Sequence, residues 1–108
     1  MIHFLNDNTI KIFAYVKQGE ILGVIIVTFY MMQKLEIIGI TVAENKRNKG
    51  IGSFMINELV NTYNIKTVYA KTDKDAVNFY RKNGFSVTQF YETYNGETVT
   101  RYKCERMT

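Results

Sequence analysis

The chain has 108 residues, of which 46% are hydrophobic and 22% charged, so we expect one folded domain rather than two domains or a disordered segment. The chain has a single cysteine, Cys104, and a single histidine. This excludes an internal disulfide and any cysteine-rich or histidine-rich metal site. Fourteen basic against ten acidic side chains give a net charge of +4, which favours an anionic partner such as a nucleic acid or a phosphorylated small molecule.

The first half of the chain predicts three or four strands. Residues 2–5 are the candidate for the additional short strand, and the Asn-Asp-Asn at positions 6–8 forms a turn, because Asn and Asp side chains imitate backbone turns. Apolar residues alternate over 10–16, and a turn around Gly19 follows. Residues 21–32 and 35–42 are apolar on both faces, which is typical of central strands covered on both sides. Gly39 interrupts the second of these strands, which indicates a bulge or the close approach of a ligand.

The second half predicts a helix, a strand, a second helix and a closing hairpin. Apolar residues recur every three or four positions over 51–63, which indicates a helix, and residues 65–70 form a strand. The second helix begins with Thr72 or Asp73 as its N-cap and ends at Asn83 and Gly84. Residues 85–93 and 98–105 then form a hairpin around an Asn-Gly turn at 95–96.

This order of elements predicts a single α+β domain over residues 1–108. Residues 35–70 form a β-α-β unit, whose right-handed crossover makes its two strands parallel. The other neighbouring strands are joined by hairpins and therefore pair antiparallel. We expect a mixed, mostly antiparallel central sheet.

The sequence shows no sign of a membrane span or a secretion signal. The longest apolar run, residues 21–32, is shorter than the about 20 residues that a membrane helix needs. The first seven residues lack the basic start and apolar stretch of a signal peptide. One cysteine fits a reducing compartment. We therefore expect a cytoplasmic protein that does not bind a membrane.

The loop before the first helix carries the most informative local pattern. The segment that enters this helix reads Arg47-Asn48-Lys49-Gly50-Ile51-Gly52-Ser53. The first turn of a helix exposes unpaired N–H groups and a partial positive charge, and glycines let an anion approach the backbone. The loop is therefore either a phosphate site or a simple basic turn. It is neither a Walker loop nor a full dinucleotide fingerprint, because Met55 stands where the third glycine would fall.

Two longer patterns resemble the GNAT superfamily of N-acetyltransferases. One begins at Val42 and continues through Arg47 to Gly50 and Gly52, similar to the family's Val-x-Pro, two residues, then Gln/Arg-x-x-Gly-x-Gly/Ala. The other occupies residues 73–85 and is similar to Asn-x-x-Ala-x-x-Leu/Phe-Tyr-x-x-x-Gly-Phe. Both motifs occur in the family's order, and the resemblance covers roughly residues 10–105.

The resemblance implies the fold of the family and its co-substrate, acetyl-CoA, without a metal. In that fold the strand at 35–42 splays from the strand at 65–70, and the pantetheine arm lies in the gap like an added strand. The N-terminal helices of the family are reduced or absent here. The cofactor-binding residues implied by the resemblance are Ile40, Val42, Arg47, Asn48, Lys49, Gly50, Ile51, Gly52, Ser53 and Asn78.

The resemblance also implies acetyl transfer to a primary amine by direct attack in a ternary complex. A lysine-like amine is only about one part in 2,500 neutral at pH 7, and Glu36 matches a catalytic Glu of the family's histone-modifying branch, so we expect it to act as the base. Tyr80 matches a Tyr beside the cofactor sulfur and is expected to stabilise the thiolate. A backbone N–H near Ile40 is the implied oxyanion donor. The structural alternatives are a solvent-facing Glu and a core Tyr.

The sequence departs from the family pattern at three points. Glu44 stands where a proline is common. Asp73 stands where the family usually has an Asn near the cofactor, and its carboxylate would repel phosphates. The chain also lacks the helical pair that covers the acceptor side, so either the acceptor groove is open or a second subunit completes it.

Several partners and roles remain as expectations. The acceptor is a small-molecule or protein amine, no nucleic acid is bound, and residues 91–94 face the acceptor. The last two strands pair or swap between subunits of a homodimer. His3 and Cys104 lie outside both motifs and are expected to be structural. Two other functions stay open: a non-catalytic, acetyl-CoA-binding regulator, and, from the basic charge and aromatic content, an RNA-binding α/β module.

Overall fold

Over residues 1–6 and 9–108, which the structure describes, the computed structural model contains one seven-stranded sheet and two α-helices; for residues 2–6 it describes the backbone. The strands are β1 (Ile2–Asn6), β2 (Lys11–Lys17), β3 (Glu20–Tyr30), β4 (Lys34–Val42), β5 (Thr67–Thr72), β6 (Ser86–Tyr94) and β7 (Glu97–Met107). The helices are α1 (Ile51–Tyr63) and α2 (Val77–Lys82), and a 3-10 turn spans Glu44–Lys46. No helix within these ranges is long and apolar enough to cross a membrane.

The sheet combines the predicted β-α-β unit with hairpins on both sides. Its strand order is β1-β2-β3-β4-β5-β7-β6, with β4 and β5 parallel and every other neighbouring pair antiparallel. Strands β4 and β5 pair only as far as Ile37 and Ala70. Beyond this point residues 39–42 of β4 pair with β3 alone. The α+β class, the parallel β-α-β unit and the splay are therefore confirmed.

Both helices pack on one face of the sheet, which we call the covered face. Helix α1 contributes Met55, Ile56 and Leu59 to the core, and α2 contributes Val77 and Tyr80. Alternate residues of the strands complete the same core, because side chains along a strand point to opposite faces. These strand residues are Phe13, Ile25, Val27, Leu35, Ile37, Val68, Ala70 and Cys104. Each large apolar side chain buried here stabilises the fold by about 1.5–3 kcal/mol.

The opposite face carries no helix in the part of the chain that the structure describes, and we call it the open face. Val24 and Ile26 of β3 are only half-buried there, and Ile38 of β4 is 52% exposed. The expectation that β3 and β4 are covered on both faces is therefore wrong. Residues 7–10 alone connect β1 with β2, too few for two helices, so no helical pair between these strands covers the second face.

The predicted order of strands and helices is confirmed, but β3 is shorter than expected. It ends at Tyr30, because residues 31–33 form the turn to β4. Within this turn Met32 and Gln33 adopt φ values of 64° and 59°, a conformation that no strand contains. The apolar run therefore continues past the end of the strand.

The start of α2 also differs from the expectation. Thr72, one of the two expected N-cap residues, is the last residue of β5, which begins at Thr67 rather than at residue 65. Asp73 makes the hydrogen bonds expected of an N-cap, but to the turn that precedes the regular helix: its Oδ1 accepts the backbone N–H groups of Asp75 at 3.0 Å and Ala76 at 3.2 Å, and its carbonyl accepts the N–H of Val77 at 3.1 Å. The regular helix then begins at Val77. The expected turn at residues 6–8 lies partly outside the described residues. The side chain of His3 lies entirely outside them.

Candidate functional site

The free edge of β4 forms one wall of the candidate site. A bulge interrupts its pairing with β3, because Ile26 and Val27 oppose Gly39 and Ile37 and leave Ile38 without a partner. The bulge predicted for Gly39 therefore lies one residue earlier, at Ile38. The N–H of Ala43 donates to the Leu22 carbonyl of β3 at 2.8 Å.

Because hydrogen-bonding direction alternates along an antiparallel strand, the backbone groups of Val42 and Ile40 point away from β3 and into the gap beside β5. The side chain of Arg47 confirms this direction for Val42. Its Nε donates to the Val42 carbonyl oxygen at 3.2 Å. The edge of β4 therefore offers main-chain donors and acceptors to an extended ligand, and Arg47 lies at its mouth.

The N-terminus of α1 forms the second wall. Gly50 is its N-cap, with φ of 78°, and no side chain caps the helix. The first helical hydrogen bond runs from the N–H of Phe54 to the Gly50 carbonyl, so the N–H groups of Ile51, Gly52 and Ser53 have no acceptor within the helix. Together with the helix dipole, these groups favour an anion. The loop therefore has the geometry of a phosphate site.

Gly52 has a structural role that the sequence did not reveal. A Cβ atom at this position would lie 2.8 Å from Cε1 and 2.9 Å from Cζ of Phe79, closer than side-chain atoms approach one another. The missing side chain therefore allows α2 to pack against the first turn of α1.

Polar bonds hold the two helices together at the same place. The hydroxyl of Ser53 donates to Oδ1 of Asn83 at 2.5 Å. Arg106 of β7 donates to the Asn83 carbonyl at 3.1 Å and to Oδ1 of Asn57 at 2.9 Å, and its guanidinium also lies 5.4 Å from the Phe85 ring. Burial lowers the pKa of Arg106. This network fixes the spacing between α1 and α2.

The β4 edge, the α1 N-terminus and α2 enclose a cleft of about 710 Å³. Lys46, Arg47 and Lys82 place positive charge around it, and Asp75 is the carboxylate among its lining residues. The predicted residues that line this cleft are Ile40, Val42, Arg47, Asn48, Gly50, Ile51, Gly52, Ser53 and Tyr80. The loop that enters α1 (residues 47–53), the β4 edge and Tyr80 thus meet in one cavity.

Three predicted site residues lie elsewhere. Lys49 lines a smaller neighbouring cavity of about 460 Å³. Asn78 faces away from the cleft lining, and its Oδ1 accepts a hydrogen bond from Arg81 at 3.1 Å. Glu36 is on the open face, because it lies between the buried residues Leu35 and Ile37. The structure therefore does not bring Glu36 and Tyr80 into the same cavity.

Seven further lining residues were not among the predicted catalytic and cofactor-binding residues, namely Thr41, Lys46, Asp75, Ala76, Phe79, Lys82 and Asn83. A signal for part of this set is present in the sequence. Ala76, Phe79, Tyr80 and Asn83 follow one another at spacings of three, one and three, which places them on one face of a helix. Asn78 lies outside this pattern, in agreement with its position in the structure.

Tyr80 is buried at the bottom of the cleft and is only 5% exposed. Its ring packs edge-on against Phe79 and Phe85, each at a centroid distance of 5.2 Å. Burial, with a smaller contribution from Cys104, raises the pKa of Tyr80 to about 12. No hydrogen bond to its hydroxyl is formed by the described residues. Tyr80 is therefore a protonated donor directed at whatever occupies the cleft.

Glu36 is half-buried on the open face beside the closed end of the splay. It is paired with Tyr69 of β5 and Thr28 of β3. The hydroxyl of Tyr30 donates to its Oε1 at 2.7 Å, and this hydrogen bond is the main reason that the pKa of Tyr30 is raised. Tyr30 holds the carboxylate in place on the sheet surface.

The family model described as "Acetyltransferase (GNAT) domain" matches residues 8–87. Solved structures agree with this match in their fold, whereas the curated proteins contain no significant match. An IAA acetyltransferase from Bacillus cereus is 21% identical, with a TM-score of 0.69 over 93% of this chain and 79% of that one. A Bacillus subtilis acetyltransferase in complex with CoA is 17% identical, with a TM-score of 0.70 over 93% and 78%. An Elizabethkingia anophelis acetyltransferase with acetyl-CoA bound is 19% identical, with a TM-score of 0.70 over 93% and 77%.

Proposed function

The chain belongs to the GNAT family of acetyltransferases, and on this premise we propose that it transfers the acetyl group of acetyl-CoA to a primary amine by direct attack in a ternary complex. The observation that carries the proposal is the single cleft of about 710 Å³ that joins the α1 N-terminus, the free edge of β4 and Tyr80. Neighbouring structures with CoA or acetyl-CoA bound support the choice of co-substrate.

The residues of the cleft suit the two chemically different ends of acetyl-CoA. The N–H groups of residues 51–53, with Arg47 and Lys82, suit the diphosphate, because they combine main-chain donors with positive charge. The backbone of Ile40 and Val42 suits the amide groups of the pantetheine arm, which then extends the sheet at the splay. Arg47 already donates to the Val42 carbonyl, so this acceptor can take a second N–H on its other lone pair.

The co-substrate supplies an activated acetyl thioester, and the side chains of the chain manage the protons. The acceptor nitrogen forms a bond to the acetyl carbon while the carbon–sulfur bond breaks and its electron pair leaves with the sulfur. Glu36 accepts the proton that the amine loses, either directly or through water. A backbone N–H near Ile40 donates to the carbonyl oxygen as negative charge develops on it.

Tyr80 donates a hydrogen bond to the departing sulfur. With its pKa raised to about 12, full proton transfer to a thiolate of pKa near 8.5 would be uphill by about 3.5 units, or roughly 5 kcal/mol. Tyr80 therefore stabilises the thiolate by a hydrogen bond, and solvent completes the protonation after release.

The two substrates enter from opposite faces in this proposal. The cleft for acetyl-CoA opens on the covered face, whereas Glu36 lies on the open face at the closed end of the splay. Beyond Ile37 and Ala70 the two strands separate, so the sheet is interrupted at the point where the thioester and the amine must meet.

A binding protein without catalysis is the second candidate. The observation that favours it is the separation of Glu36 from the Tyr80 cavity, together with the hydrogen bond that Glu36 already accepts from Tyr30. Release of CoA thiol in the presence of a panel of amines separates the two functions. An enzyme releases thiol in proportion to amine, whereas a regulator binds acetyl-CoA without amine-dependent release.

We also propose that two copies associate through β6. This strand is the edge of the sheet, nine residues long, and its Tyr91 and Tyr94 are 68% and 53% exposed. An unpaired edge strand offers its main-chain groups to a second strand. Light scattering tests this proposal, and a clean monomer of 12.6 kDa would reject it.

Calorimetric titration tests the central proposal. Acetyl-CoA should bind saturably, and S-acetylpantetheine, which lacks the diphosphate, should bind at least about tenfold more weakly because it cannot use the α1 N-terminus. Arg47→Gln should weaken acetyl-CoA binding by about the same factor. Lys66→Gln removes an exposed cation at the start of β5 and should leave the affinity unchanged. Absence of saturation at millimolar acetyl-CoA would overturn the proposal.

A further inference from the structure

Two lysines stand directly opposite each other on the open face. Lys71 of β5 is paired with Lys103 of β7 in the antiparallel register, which puts their Cβ atoms about 4.5–5.5 Å apart. Both side chains are exposed. Like charges in this position destabilise a sheet, so the pair is a feature that folding alone does not favour.

The ammonium groups of the lysine pair, Lys71 and Lys103, both lie near one aromatic ring. The Lys103 Nζ lies 5.3 Å and the Lys71 Nζ 6.0 Å from the centroid of the Phe90 ring on β6. Both ammonium groups are therefore drawn to one spot on the open face. A half-buried ring beneath two cations suits an anionic group with an apolar neighbour.

No carboxylate neutralises this pair. Among the residues that the structure describes, the single ion pair joins Arg101 and Glu92, with its atoms 3.9 Å apart. Glu105 lies two residues from Lys103 on the same face, yet neither lysine has a carboxylate oxygen within 4.0 Å. The positive charge of the lysine pair is thus available to a ligand.

The lysine pair lies beside the place where the proposed reaction occurs. Lys71 directly follows Ala70, the last residue of β5 that pairs with β4, and so it borders the opening of the splay. Glu36 is paired with Tyr69, two residues before Lys71. With strands about 4.8 Å apart and about 3.3 Å per residue, the Cα atoms of Glu36 and Lys71 are about 8 Å apart. The open face therefore presents the Glu36 carboxylate and the two ammonium groups of the lysine pair across the splay. On the same face, Glu105 is paired with Tyr69, and the Nζ of Lys34 lies 5.1 Å from the Tyr69 ring.

We infer that the lysine pair binds an anionic group of the acceptor, so that the acceptor is a small amine that also carries a carboxylate or a phosphate. This inference rests on the proposed function and specifies its substrate. The amine lies toward Glu36 and the anionic group toward Lys71 and Lys103, which matches the order of charges on the face. An amino acid or a phosphorylated amine has this pattern, whereas a simple alkylamine lacks it.

Matched acceptors test the inference. Amino acids are compared with the corresponding amino-acid amides, and phosphoethanolamine with ethanolamine, by CoA-thiol release. The carboxylate or phosphate member of a pair should have a kcat/KM at least about tenfold higher, because a charge-assisted contact is lost in the other member. Preference within the first pair or the second identifies the anion as carboxylate or phosphate. Equal values within both pairs would overturn the inference.

Substitutions assign the preference to the lysine pair. Lys71→Gln and Lys103→Gln should each reduce kcat/KM for the preferred acceptor about tenfold. Each should leave kcat/KM unchanged for the matched acceptor that lacks the anionic group. Lys66→Gln makes the same charge change at an exposed site away from the splay and should keep the preference. A preference that survives both lysine substitutions would assign it to other residues and overturn the inference.

A binding experiment keeps this test separate from the proposed catalysis. With CoA present, N-acetylated amino acids and their amides, and N-acetylphosphoethanolamine and N-acetylethanolamine, are titrated against the intact chain and the two lysine variants by calorimetry. Tighter binding of the anionic member of either pair, lost in both variants, would support the inference even if no amine were acetylated. Equal affinities within both pairs would contradict it, and so would an oligonucleotide that binds the lysine pair more tightly than any acetylated product does.

Discussion

The two faces of the sheet are built on different principles. The covered face holds the core and a cleft that combines main-chain donors, at the α1 N-terminus and along the β4 edge, with the side chains of Lys46, Arg47 and Lys82. The open face carries no helix in the described residues, and its chemistry resides in exposed or half-buried side chains such as Glu36, Lys71 and Lys103. A main-chain site is fixed by the fold, whereas a side-chain site changes with single substitutions. The main-chain part of the proposed acetyl-CoA site is therefore tied to stability, whereas the proposed acceptor site on the open face depends on single side chains.

Loss of the Tyr80 hydroxyl is the strongest test of the covered face. Tyr80→Phe should reduce turnover about a hundredfold, because the thiolate loses its hydrogen-bond donor, and should leave acetyl-CoA affinity unchanged. Steady-state kinetics and calorimetry measure the two effects. Tyr63→Phe is the matched control, since its ring still packs on Phe13 and Phe29. Unchanged turnover in Tyr80→Phe would remove its proposed role.

Alkaline pH should reveal the burial of the same side chain. The pKa of Tyr80 is raised to about 12 in the folded protein and is near 10 in the unfolded chain. The folded state therefore binds more protons between these values, so stability is fully present below pH 10 and decreases as pH rises to 12. About 2–3 kcal/mol should be lost by denaturant unfolding, relative to Tyr80→Phe, which lacks this titration. Parallel curves for both proteins would show that Tyr80 is not desolvated.

Alanine substitutions at two glycines on adjacent central strands compare how tightly the two faces of the sheet are packed. Gly23→Ala places a Cβ 2.8 Å from Met55 Cε and 3.1 Å from the Thr41 carbonyl, and should cost about 1–3 kcal/mol of unfolding free energy. Gly39→Ala meets only Ile26 Cδ1, at 3.8 Å, and should be close to neutral. Urea unfolding of both variants measures the difference. Equal costs would mean that the open face is as tightly packed as the covered one.

The smallest of these effects concerns Glu36, the proposed base on the open face. Glu36→Gln should lower kcat/KM about tenfold, because water at this half-buried site still accepts part of the proton flux. Tyr30→Phe removes the hydrogen bond that holds Glu36 and should lower kcat/KM less, because the carboxylate remains. Steady-state kinetics measures both variants, and an unchanged kcat/KM in Glu36→Gln would contradict the proposed role of Glu36 as base.

The position of the loop at residues 47–53, at the start of α1, was predictable because the pattern is local. Residues 47–53 combine basic side chains with glycines at the entry to a helix, and the structure has an uncapped helix N-terminus there. The same holds for Tyr80, whose helical spacing with Phe79 and Asn83 places it on the cleft side of α2. Short-range periodicity is sufficient for such assignments.

The positions of Asn78, Lys49 and Glu36 were less accessible, because each depends on the face of an element rather than on its presence. Asn78 bonds to Arg81 outside the cleft, and Lys49 lines the neighbouring cavity. Glu36 faces away from Tyr80 because side chains alternate across β4. A family motif identifies such residues without stating which way they point here.

The amino-acid pattern alone accounts for the α+β class, the order of elements, the parallel β-α-β unit and the basic, glycine-containing entry to α1, because each follows from residues close together in the chain. Tertiary packing decides which face the helices cover, that Gly52 makes room for Phe79, and that Lys71 lies opposite Lys103 beside the splay. These features join segments about 27 to 32 positions apart, and only strand register and helix docking bring such distant residues into contact.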